Sequence, residues 1–439
     1  MKPEGNHVSQ AFNWRKQVMK FYKCHIRRFI RSVGKIEVNL ISAIFVIMLD
    51  FILLSGTGWA ATYTAATCSA LDVASAISNA SSGDTVIVPA GNCTWGESGT
   101  YLSVNKAIIL KGAGQGQTNI TLSDTGGTYT NATIRISAAA TVRGMTINGS
   151  NAESISAFSV STVNGWRITD IDYNGGTSGA YFVYVGNVYG VIDNNDITGG
   201  AGTAELIFVR GPTNSWQTPH SIGGADNVFV EDNTFNGPGY VCDCNSNSRC
   251  VIRYNTITGT MKIDGHGKAS NNPPRGVRHM EVYNNTWTNT SNYWTAIELR
   301  GGGGRVFNNV IESSSVIWVY LTDYAYTATW TNFSNTCRCP ADYPVDDQIG
   351  VGRDPKLGAS EPMYLWNNTK NGLPLSLSWK STDSCQATCG VFSVSDVIVA
   401  DRDYFISDTK PAAMDSYTPF PYPHPLTITP NPPSNIKIQ

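Results

Sequence analysis

Basic residues are scarce in this chain once its first 60 positions are set aside. The 439-residue sequence contains 31 Lys and Arg and 33 Asp and Glu. Nine of the basic residues and three of the acidic ones lie in positions 1–60, which leaves 22 positive and 30 negative side chains and a net charge of −8. Phosphate backbones are bound by basic surfaces, so this acidic chain excludes nucleic acid as a partner.

Histidine is missing around the cysteines. No His lies within ten residues of the central group of cysteines, so a zinc site there would be incomplete. The nine cysteines after residue 60 form three groups: Cys68 and Cys93; Cys242, Cys244 and Cys250; Cys337, Cys339, Cys385 and Cys389. In an exported chain disulfides are the expected use of cysteine, and the odd count leaves one thiol free or bonded between chains.

The first 60 residues have the pattern of an export signal. A basic segment (1–35) is followed by an apolar run from Val38 to Leu54, and Gly58-Trp59-Ala60 fits a signal peptidase site. We predict cleavage after Ala60 and a secreted protein, extracellular or at the cell surface, with the periplasm as the alternative location. An uncleaved membrane anchor is the other interpretation, because the apolar run approaches the ~20 residues of a membrane span. Asp50 within the run disfavours an anchor, so we expect no membrane contact after cleavage.

Residues 61–95 are predicted to form an N-terminal cap and the first coil. Ser69 can cap the start of a helix, and Gly83 can follow its end. Cys68 and Cys93 flank this unit. We therefore expect these two cysteines to form a disulfide.

Residues 96–410 are predicted to form one repetitive domain. A strand that runs into asparagine recurs, at Asn195, Asn233, Asn255, Asn285, Asn309 and Asn368. The shortest gaps between these asparagines are 22 and 24 residues, and the longer gaps are explained by insertions at one place in a coil. Units of this length are typical of a parallel β-solenoid. Asparagine suits a sharp corner, since it tolerates left-handed backbone and its stacked amides can hydrogen-bond from coil to coil.

The C-terminal segment, residues 411–439, contains eight prolines. Such a segment is expected to be extended rather than helical. We predict that it lies against the last coils and covers the open end of the solenoid, because exposed strand edges aggregate.

A second strand precedes each asparagine strand and sets polar residues at alternate positions. Alignment on the glycine that ends these strands places one residue of each in a common column: Arg210, His266 and Arg300. The column two residues earlier holds Phe208, Asp264 and Glu298. Stacked strands lie about 4.8 Å apart, so each column is expected to be a compact row of side chains. The strand with Cys242 and Cys244 lacks the glycine, which leaves the place of Asp243 ambiguous by one residue.

Insertions follow these columns at 212–226, 268–278 and 324–362. Insertions on one side of a solenoid usually wall a groove. The second insertion adds a basic cluster next to His279: Lys268, Arg275 and Arg278. Aromatic residues along the same coils could stack on sugar rings or serve as core packing: Trp216, Trp287, Trp294 and Trp318.

The segment "GDTVIVPAGNCTW" (83–95) and the coil repeats resemble the secreted right-handed parallel β-helix proteins of the pectate lyase-like superfamily, over about residues 65–370. The later segments "EPMYLWNN" and "YPHPL" resemble a bacterial subgroup with no assigned activity. The resemblance implies an all-β fold, a right-handed parallel β-helix with an N-terminal capping helix and a proline-rich cover, that acts on a polysaccharide in a groove along its coils.

Two motifs of this superfamily match only in part. Gly265 splits the Ile-Asp-His segment of pectate lyases into "IDGHG", and "PPRGVR" differs from their Arg-x-Pro-Arg segment in proline spacing. A clear set of calcium-binding aspartates is absent, as is the tandem-aspartate arrangement of polygalacturonases. We therefore assign no metal ligands and retain Ca²⁺ only as an optional cofactor.

The polar columns favour an enzyme that cleaves an acidic polysaccharide by β-elimination. His266 would remove the proton next to a uronate carboxylate, and Arg300 would neutralise that carboxylate. Asp264 and Glu298 support this pair as catalytic residues, and the predicted substrate-binding residues are Arg210, Asp243, Lys268, Arg275, Arg278 and Trp294.

Hydrolysis is the alternative reaction, with Asp264 and Glu298 as its two carboxylates. Adjacent strands would place them about 5 Å apart, whereas an intervening strand bearing the cysteines would place them about 10 Å apart. We expect the larger separation, which fits neither class of glycosidase well, so elimination is favoured.

Two further interpretations involve no catalysis. The protein could bind glycans or serve as an adhesive surface structure, and the polar columns could be a charged, solvated face that keeps the solenoid soluble. His220, in an inserted loop, and His424, in the tail, receive no role. We expect a monomer.

Overall fold

The computed structural model of the chain describes residues 60–97, 100–123, 132–149, 156–175, 181–200, 205–267, 276–288, 295–312, 319–321, 349–351, 360–379 and 394–427. The predicted export signal lies outside these residues, apart from Ala60, as do Lys268, Arg275, Trp294, Trp318 and the last four cysteines. Within the described ranges no helix is long and apolar enough to cross a membrane.

In the described residues, β-strands are the main regular secondary structure. In chain order the strands are β1 (Thr62–Thr64), β2 (Thr85–Val88), β3 (Gly91–Trp95), β4 (Leu102–Val104), β5 (Ile109–Gly112), β6 (Thr118–Leu122), β7 (Ile134–Ile136), β8 (Thr141–Asn148), β9 (Ser156–Ser161), β10 (Trp166–Asn174), β11 (Tyr181–Gly186), β12 (Gly190–Asp193), β13 (Asp196–Thr198), β14 (Glu205–Arg210), β15 (Val228–Glu231), β16 (Thr234–Cys244), β17 (Arg249–Arg253), β18 (Thr256–Gly265), β19 (His279–Tyr283), β20 (Thr286–Thr288), β21 (Ile297–Leu299), β22 (Gly303–Phe307), β23 (Val310–Glu312), β24 (Val319–Leu321), β25 (Met363–Trp366), β26 (Thr369–Lys370), β27 (Leu373–Pro374), β28 (Leu377–Trp379) and β29 (Tyr404–Ser407). The α-helices are α1 (Ala70–Asn79) and α2 (Val394–Val397), and short 3₁₀ turns span Ala412–Met414 and Pro425–Thr427.

These strands form a parallel β-helix with three faces. Face 1 consists of β1, β2, β5, the first part of β8 and of β10, β12, β15, β17, β19, β22, β25 and β29. Face 2 consists of β3, β6, the second part of β8 and of β10, β13, the first part of β16 and of β18, β20, β23 and β26. Face 3 consists of β4, β7, β9, β11, β14, the second part of β16 and of β18, β21, β24 and β28. The antiparallel pair β26–β27 is an addition at the end of face 2.

The interior is filled by rows of aliphatic side chains in register from coil to coil. One row on face 1 runs through Ile192, Val230, Ile252, Val282, Val306 and Leu365, each at most 1% exposed. β-Branched and leucine side chains suit a strand and an apolar core at once, so the same residues favour the strand and bury its inner side.

The repeated asparagines form a buried ladder at the corner between face 1 and face 2. The Nδ2 atom of each donates to Oδ1 of the next along the series from Asn195 to Asn368, at 2.9–3.1 Å. The left-handed backbone falls on the residue just before each ladder position, for example Asn194 (φ 52°) and Tyr254 (φ 57°). The sequence predicts that one asparagine supplies both the left-handed backbone and the stacked amide. In the structure the ladder asparagine supplies the buried amide, and the residue before it adopts the left-handed φ.

Helix α1 lies against the first coil. Its N-cap residue Ser69 accepts a hydrogen bond from the Asp72 amide at 3.2 Å, and Gly83 has a left-handed φ of 98° in the turn that follows. Cys68 and Cys93 are bonded, as expected, with their Cα atoms 5.9 Å apart. The disulfide joins the segment before α1 to β3.

The proline-rich tail lies along the outer side of face 1 rather than over the end of the solenoid, as far as residue 427. Tyr417 Oη donates to Glu281 at 2.5 Å, Arg253 donates to the Phe420 carbonyl at 2.6 Å, and Arg167 donates to the Leu426 carbonyl at 3.4 Å. The tail thus runs back from β19 to β10, and the prediction of an end cover is wrong for this part. The physical reason is an apolar outer surface on face 1, where Tyr283, Phe307 and Trp366 stack in a row that the tail buries.

Candidate active site

Face 3 carries one carboxyl group on each of three adjacent strands. Asp243 of β16 pairs with Asp264 of β18, and Asp264 pairs with Glu298 of β21. We call these three residues the carboxyl column. The register shifts between Tyr240 and Cys242, which places Asp243 in the column and resolves the one-residue ambiguity.

The expected separation of Asp264 from Glu298 is wrong. The strand with the cysteines lies on the far side of Asp264, so β18 and β21 are direct neighbours. Their backbones are therefore about 4.8 Å apart rather than about 10 Å. Gly265, which splits the Ile-Asp-His motif, sits where any side chain would collide with Met280 Sδ in the core.

Two cations neutralise Asp264 and Glu298 of the carboxyl column. Arg300 donates hydrogen bonds to both carboxylate oxygens of Asp264. Its Nε atom lies 3.0 Å from Oδ1, and its terminal Nη2 atom donates to Oδ2. Lys262 Nζ forms an ion pair with Glu298 and lies 3.7 Å from Asp264 Oδ2. All four side chains are buried, with at most 3% of each residue exposed. A buried ion pair of this kind requires both partners, because either one alone would be an uncompensated charge.

Asp243 lacks such a cation. Its Oδ2 atom accepts a hydrogen bond from Asn245 Nδ2 at 3.0 Å, whereas its buried Oδ1 atom has no hydrogen-bond partner. Burial raises the pKa of the Asp243 carboxyl; His266 opposes this effect, and the Asp264 carboxylate adds to it. A carboxyl in this state favours the protonated form.

Asp264 is shifted in the opposite direction. Burial alone would raise the pKa of its carboxyl, but Arg300 and Lys262 hold that pKa below its usual range. The pKa values of the two neighbouring carboxyl groups are therefore shifted in opposite directions, upward for Asp243 and downward for Asp264. Adjacent carboxyls with pKa values moved apart are the arrangement that serves as acid and base in enzymes.

Half-buried residues on the same face connect this column with the surface. Glu205, Tyr240 and Lys262 occupy one register row, and Lys262 Nζ lies 4.3 Å from the centre of the Tyr240 ring. Burial and the neighbouring Asp243 raise the pKa of Glu205 to about 8. Glu205 and Tyr240 are half-buried, so this row leads from the surface to the carboxyl column.

The predicted column of Arg210, His266 and Arg300 agrees with the register of face 3. The His266 amide donates to the Cys244 carbonyl and the Arg300 amide to the Gly265 carbonyl, both at 3.0 Å. His266 is half-buried, and its Nδ1 atom lies 2.7 Å from the Gly267 carbonyl oxygen. Arg210 is half-buried above the Phe208 ring, and its Nε atom has no hydrogen-bond partner.

No protein-family model matches the chain, and no curated protein matches it. Similar solved structures include an alginate lyase from a Paenibacillus species, with 14% identity over 60% of this chain and 96% of that chain and a TM-score of 0.30. A pectin methylesterase in complex with a hexasaccharide has 14% identity over 81% of this chain and 100% of that chain, with a TM-score of 0.31. The catalytic domain of an α-1,3-glucanase of family GH87 has 11% identity over 80% of this chain and 68% of that chain, with a TM-score of 0.35. At these identities and TM-scores the matches do not decide what this chain does.

Several predicted binding residues lie elsewhere. Arg278 is 1% exposed and pairs with Glu361 at 2.9 Å on the outer side of face 1, so it does not join the carboxyl column. Trp216 and Trp287 are fully buried and serve as packing rather than as platforms for sugar rings. Lys268, Arg275 and Trp294 lie outside the described residues.

Lys262 and Glu205 are site residues that the sequence analysis missed. Lys262 stands two positions before Asp264 in the same strand, so the alternation that selected Asp264 could have selected it. Glu205 pairs with Tyr240 in unbroken register, and the shift of register between β16 and β18 brings Lys262 into the same row. A bulge at that point had no signal in the sequence pattern.

The central cysteines form a disulfide rather than a set of three thiols. Cys244 is bonded to Cys250, and Cys242 is a free, buried thiol with its sulfur 3.6 Å from that of Cys244. The disulfide uses two of the three thiolates that a zinc site would need. Of the five cysteines in the described residues, four form disulfides and Cys242 is free.

Proposed function

We propose that this protein cleaves an acidic polysaccharide by hydrolysing a glycosidic bond at the carboxyl column. The observation that carries the proposal is the contrast between Asp243 and Asp264, which are neighbours in register and have pKa values shifted in opposite directions. Asp243 is the acid, and Asp264 is the charged carboxylate. The β-helix fold and the sequence resemblance to polysaccharide-active β-helix proteins support a glycan as the substrate.

Asp243 is suited to protonate the leaving group. Its Oδ1 atom has no hydrogen-bond partner within the protein; because that atom is also buried, the proposed reaction requires that glycan binding expose it to the bridging oxygen. Proton transfer to that oxygen lets the bond between it and the anomeric carbon break. The resulting Asp243 carboxylate is stabilised by Asn245 and by the nearby His266.

Asp264 is suited to attack the anomeric carbon. The backbones of adjacent strands are about 4.8 Å apart, so paired side chains can approach the carboxyl separation of about 5–5.5 Å found in glycosidases that retain configuration. Asp264 would form a covalent bond to the sugar, and water would then break it while Asp243 accepts the proton of that water. Arg300 and Lys262 keep the Asp264 carboxylate ionised for this step.

Arg210 supports an acidic substrate. Its guanidinium is half-buried on the neighbouring part of face 3, with an Nε atom that has no partner. An arginine in this state can bind the carboxylate of a uronic acid. Tyr181 and Tyr240, both half-buried on the same face, provide rings on which sugars can stack.

Elimination is the second candidate, because His266 and Arg300 lie on adjacent strands of one column. It is less well supported, since Arg300 already grips Asp264 with two hydrogen bonds and carries little charge to spare for a uronate. A non-catalytic role in glycan binding remains the alternative from a different class.

The test is incubation of the purified protein with pectate, alginate and a neutral α-glucan. Hydrolysis predicts new reducing ends without ultraviolet absorbance, released with the anomeric configuration retained. Elimination predicts the absorbance of an unsaturated product together with the reducing ends. Binding of a polymer without any cleavage would overturn the enzymatic proposal in favour of a glycan-binding protein.

A further inference from the structure

A second cluster of ionisable groups lies on the outer side of face 1. His279 and Glu281 are alternate residues of β19, and His220 approaches them from the loop between β14 and β15. One ligand atom from each of the three residues lies within 4.8 Å of the others. We call His220, His279 and Glu281 the histidine cluster; it lies on a different face from the carboxyl column.

The contacts within the cluster leave one imidazole unsatisfied. His279 Nε2 lies 3.3 Å from Glu281 Oε1, and the His220 and His279 rings are 4.5 Å apart between centres. Neither ring nitrogen of His220 has a hydrogen-bond partner, although both atoms are buried. Buried polar atoms are nearly always paired, and an unpaired one is an expected position for binding a ligand.

The surroundings of the cluster orient its atoms. His279 Nδ1 lies 3.0 Å from Glu361 Oε1, which directs its Nε2 atom towards the cluster. Glu281 Oε2 accepts a hydrogen bond from Tyr417 Oη at 2.5 Å, and Glu281 Oε1 accepts one from the Gly223 amide at 2.8 Å. Metal ligands in proteins are positioned by such hydrogen bonds: a histidine ligand donates its other ring N–H to a carboxylate, and a carboxylate ligand accepts from a neighbouring donor.

Three arginines surround the cluster and set the charge that a cation would meet. Arg278 is neutralised by Glu361, and Arg249 and Arg305 donate to backbone carbonyls of Ser215 and Pro362. Their positive charge lowers the affinity for a cation. Glu281 and Glu361, which both contact His279, offset part of that positive charge.

We propose that His220, His279 and Glu281 bind a divalent transition metal, with Zn²⁺ as the best fit. Two imidazole nitrogens and one carboxylate oxygen are a donor set that zinc prefers and that calcium and magnesium do not. The metal would satisfy the His220 ring and fasten the loop between β14 and β15 to β19. The site does not depend on the proposed reaction, because it lies on another face.

The test uses the full chain, stripped with a chelator and then titrated with zinc chloride. Metal content is measured by elemental mass spectrometry, and the melting temperature is measured with and without the metal. We expect stoichiometric zinc and a higher melting temperature, with at least tenfold weaker binding in His220→Ala. Tyr417→Phe removes only the donor behind Glu281 and should weaken binding by about 10- to 100-fold.

Cys242→Ala is the matched control, because it removes the free thiol, which is the cysteine sulfur of the central group that the Cys244–Cys250 disulfide leaves able to bind zinc. Zinc binding should be unchanged in this variant. Loss of zinc in Cys242→Ala with retention in His220→Ala would overturn the proposal, as would the absence of zinc binding. Stabilisation by sulfate but not by zinc would instead identify the arginines as an anion site and would also overturn it.

Discussion

Asp243 and Asp264 are aligned residue to residue on adjacent strands, yet only Asp264 is gripped by an arginine. Arg300 directly follows β21, and β21 pairs with β18 but not with β16. Its side chain therefore contacts Asp264 of β18. The position of a carboxyl in the column therefore decides the direction of its pKa shift. Asp243, next to Phe208, has no ion pair with a described residue, whereas Asp264 in the middle pairs with Arg300 and Lys262.

Replacement of the acid is the most direct test of its role. Asp243→Asn keeps the size of the side chain but removes its proton, so glycoside cleavage should slow by about 10²- to 10⁴-fold. The melting temperature should change little, because Oδ1 of Asp243 has no partner to lose. Asp196→Asn, an exposed change on β13, is the matched control and should leave the rate unaltered. Equal rates in the two variants would exclude Asp243 as the acid.

The rate should depend on pH with two limbs. Asp243 must carry a proton, and its raised pKa means that activity falls as the pH rises through that value. Asp264 must be ionised, and its lowered pKa means that activity falls as the pH drops through that value. Lys262→Met removes a cation beside Asp264, which should raise its pKa and shift the acid limb to higher pH. Initial rates across pH measure this shift, and Lys111→Met, an exposed change on β5, should not produce it.

The ion pair of Asp264 should matter for stability as well as for charge. Arg300→Met would leave the Asp264 carboxylate buried without its main partner, and we expect a loss of about 3–5 kcal/mol in the free energy of unfolding. Arg143→Met breaks a partly exposed pair with Asp170, 3.5 Å apart, and should lose no more than about 1 kcal/mol. Denaturant unfolding compares the two. A smaller effect for Arg300 than for Arg143 would contradict a buried network.

The asparagine ladder should contribute to stability in proportion to its hydrogen bonds. Asn255 donates to Asn285 and to the Val230 carbonyl, and its Oδ1 accepts from Asn233. Asn255→Ala would leave these buried groups without partners, at about 1–3 kcal/mol for each. Asn174→Ala removes an exposed amide on β10 and should change the unfolding free energy by less than about 0.5 kcal/mol. A ladder variant as stable as the Asn174 variant would show that the bonds are replaced by water.

The repeat architecture could be predicted because its signals are local. Aliphatic alternation and a recurring asparagine occur within each short segment, and each coil repeats the same requirement for a buried row and a paired corner amide. The columns of face 3 follow from the same regularity, so the sequence alone places Arg210, His266 and Arg300 in one column, in agreement with the backbone hydrogen bonds. The Cys68–Cys93 pair followed from its place at the two ends of the first unit.

The chemistry of the site could not be predicted in this way. A β-bulge in β16 decides that Asp243 stands opposite Asp264, and the reach of Lys262 across to Glu298 decides which carboxylates are neutralised. The path of the tail along face 1 depends on the apolar outer row of Tyr283, Phe307 and Trp366, which the repeat pattern does not distinguish from a solvated face.

The sequence by itself thus determined the coil, its core row and its asparagine corner, because these depend on side chains within one short segment and its repeats. Only the tertiary structure decided the opposite pKa shifts of Asp243 and Asp264 and the contact of His220 with His279 of β19. The charge of a buried group depends on the neighbours that remove water and supply counter-charges. Those neighbours come from other coils and from an inserted loop, whose positions no local pattern specifies.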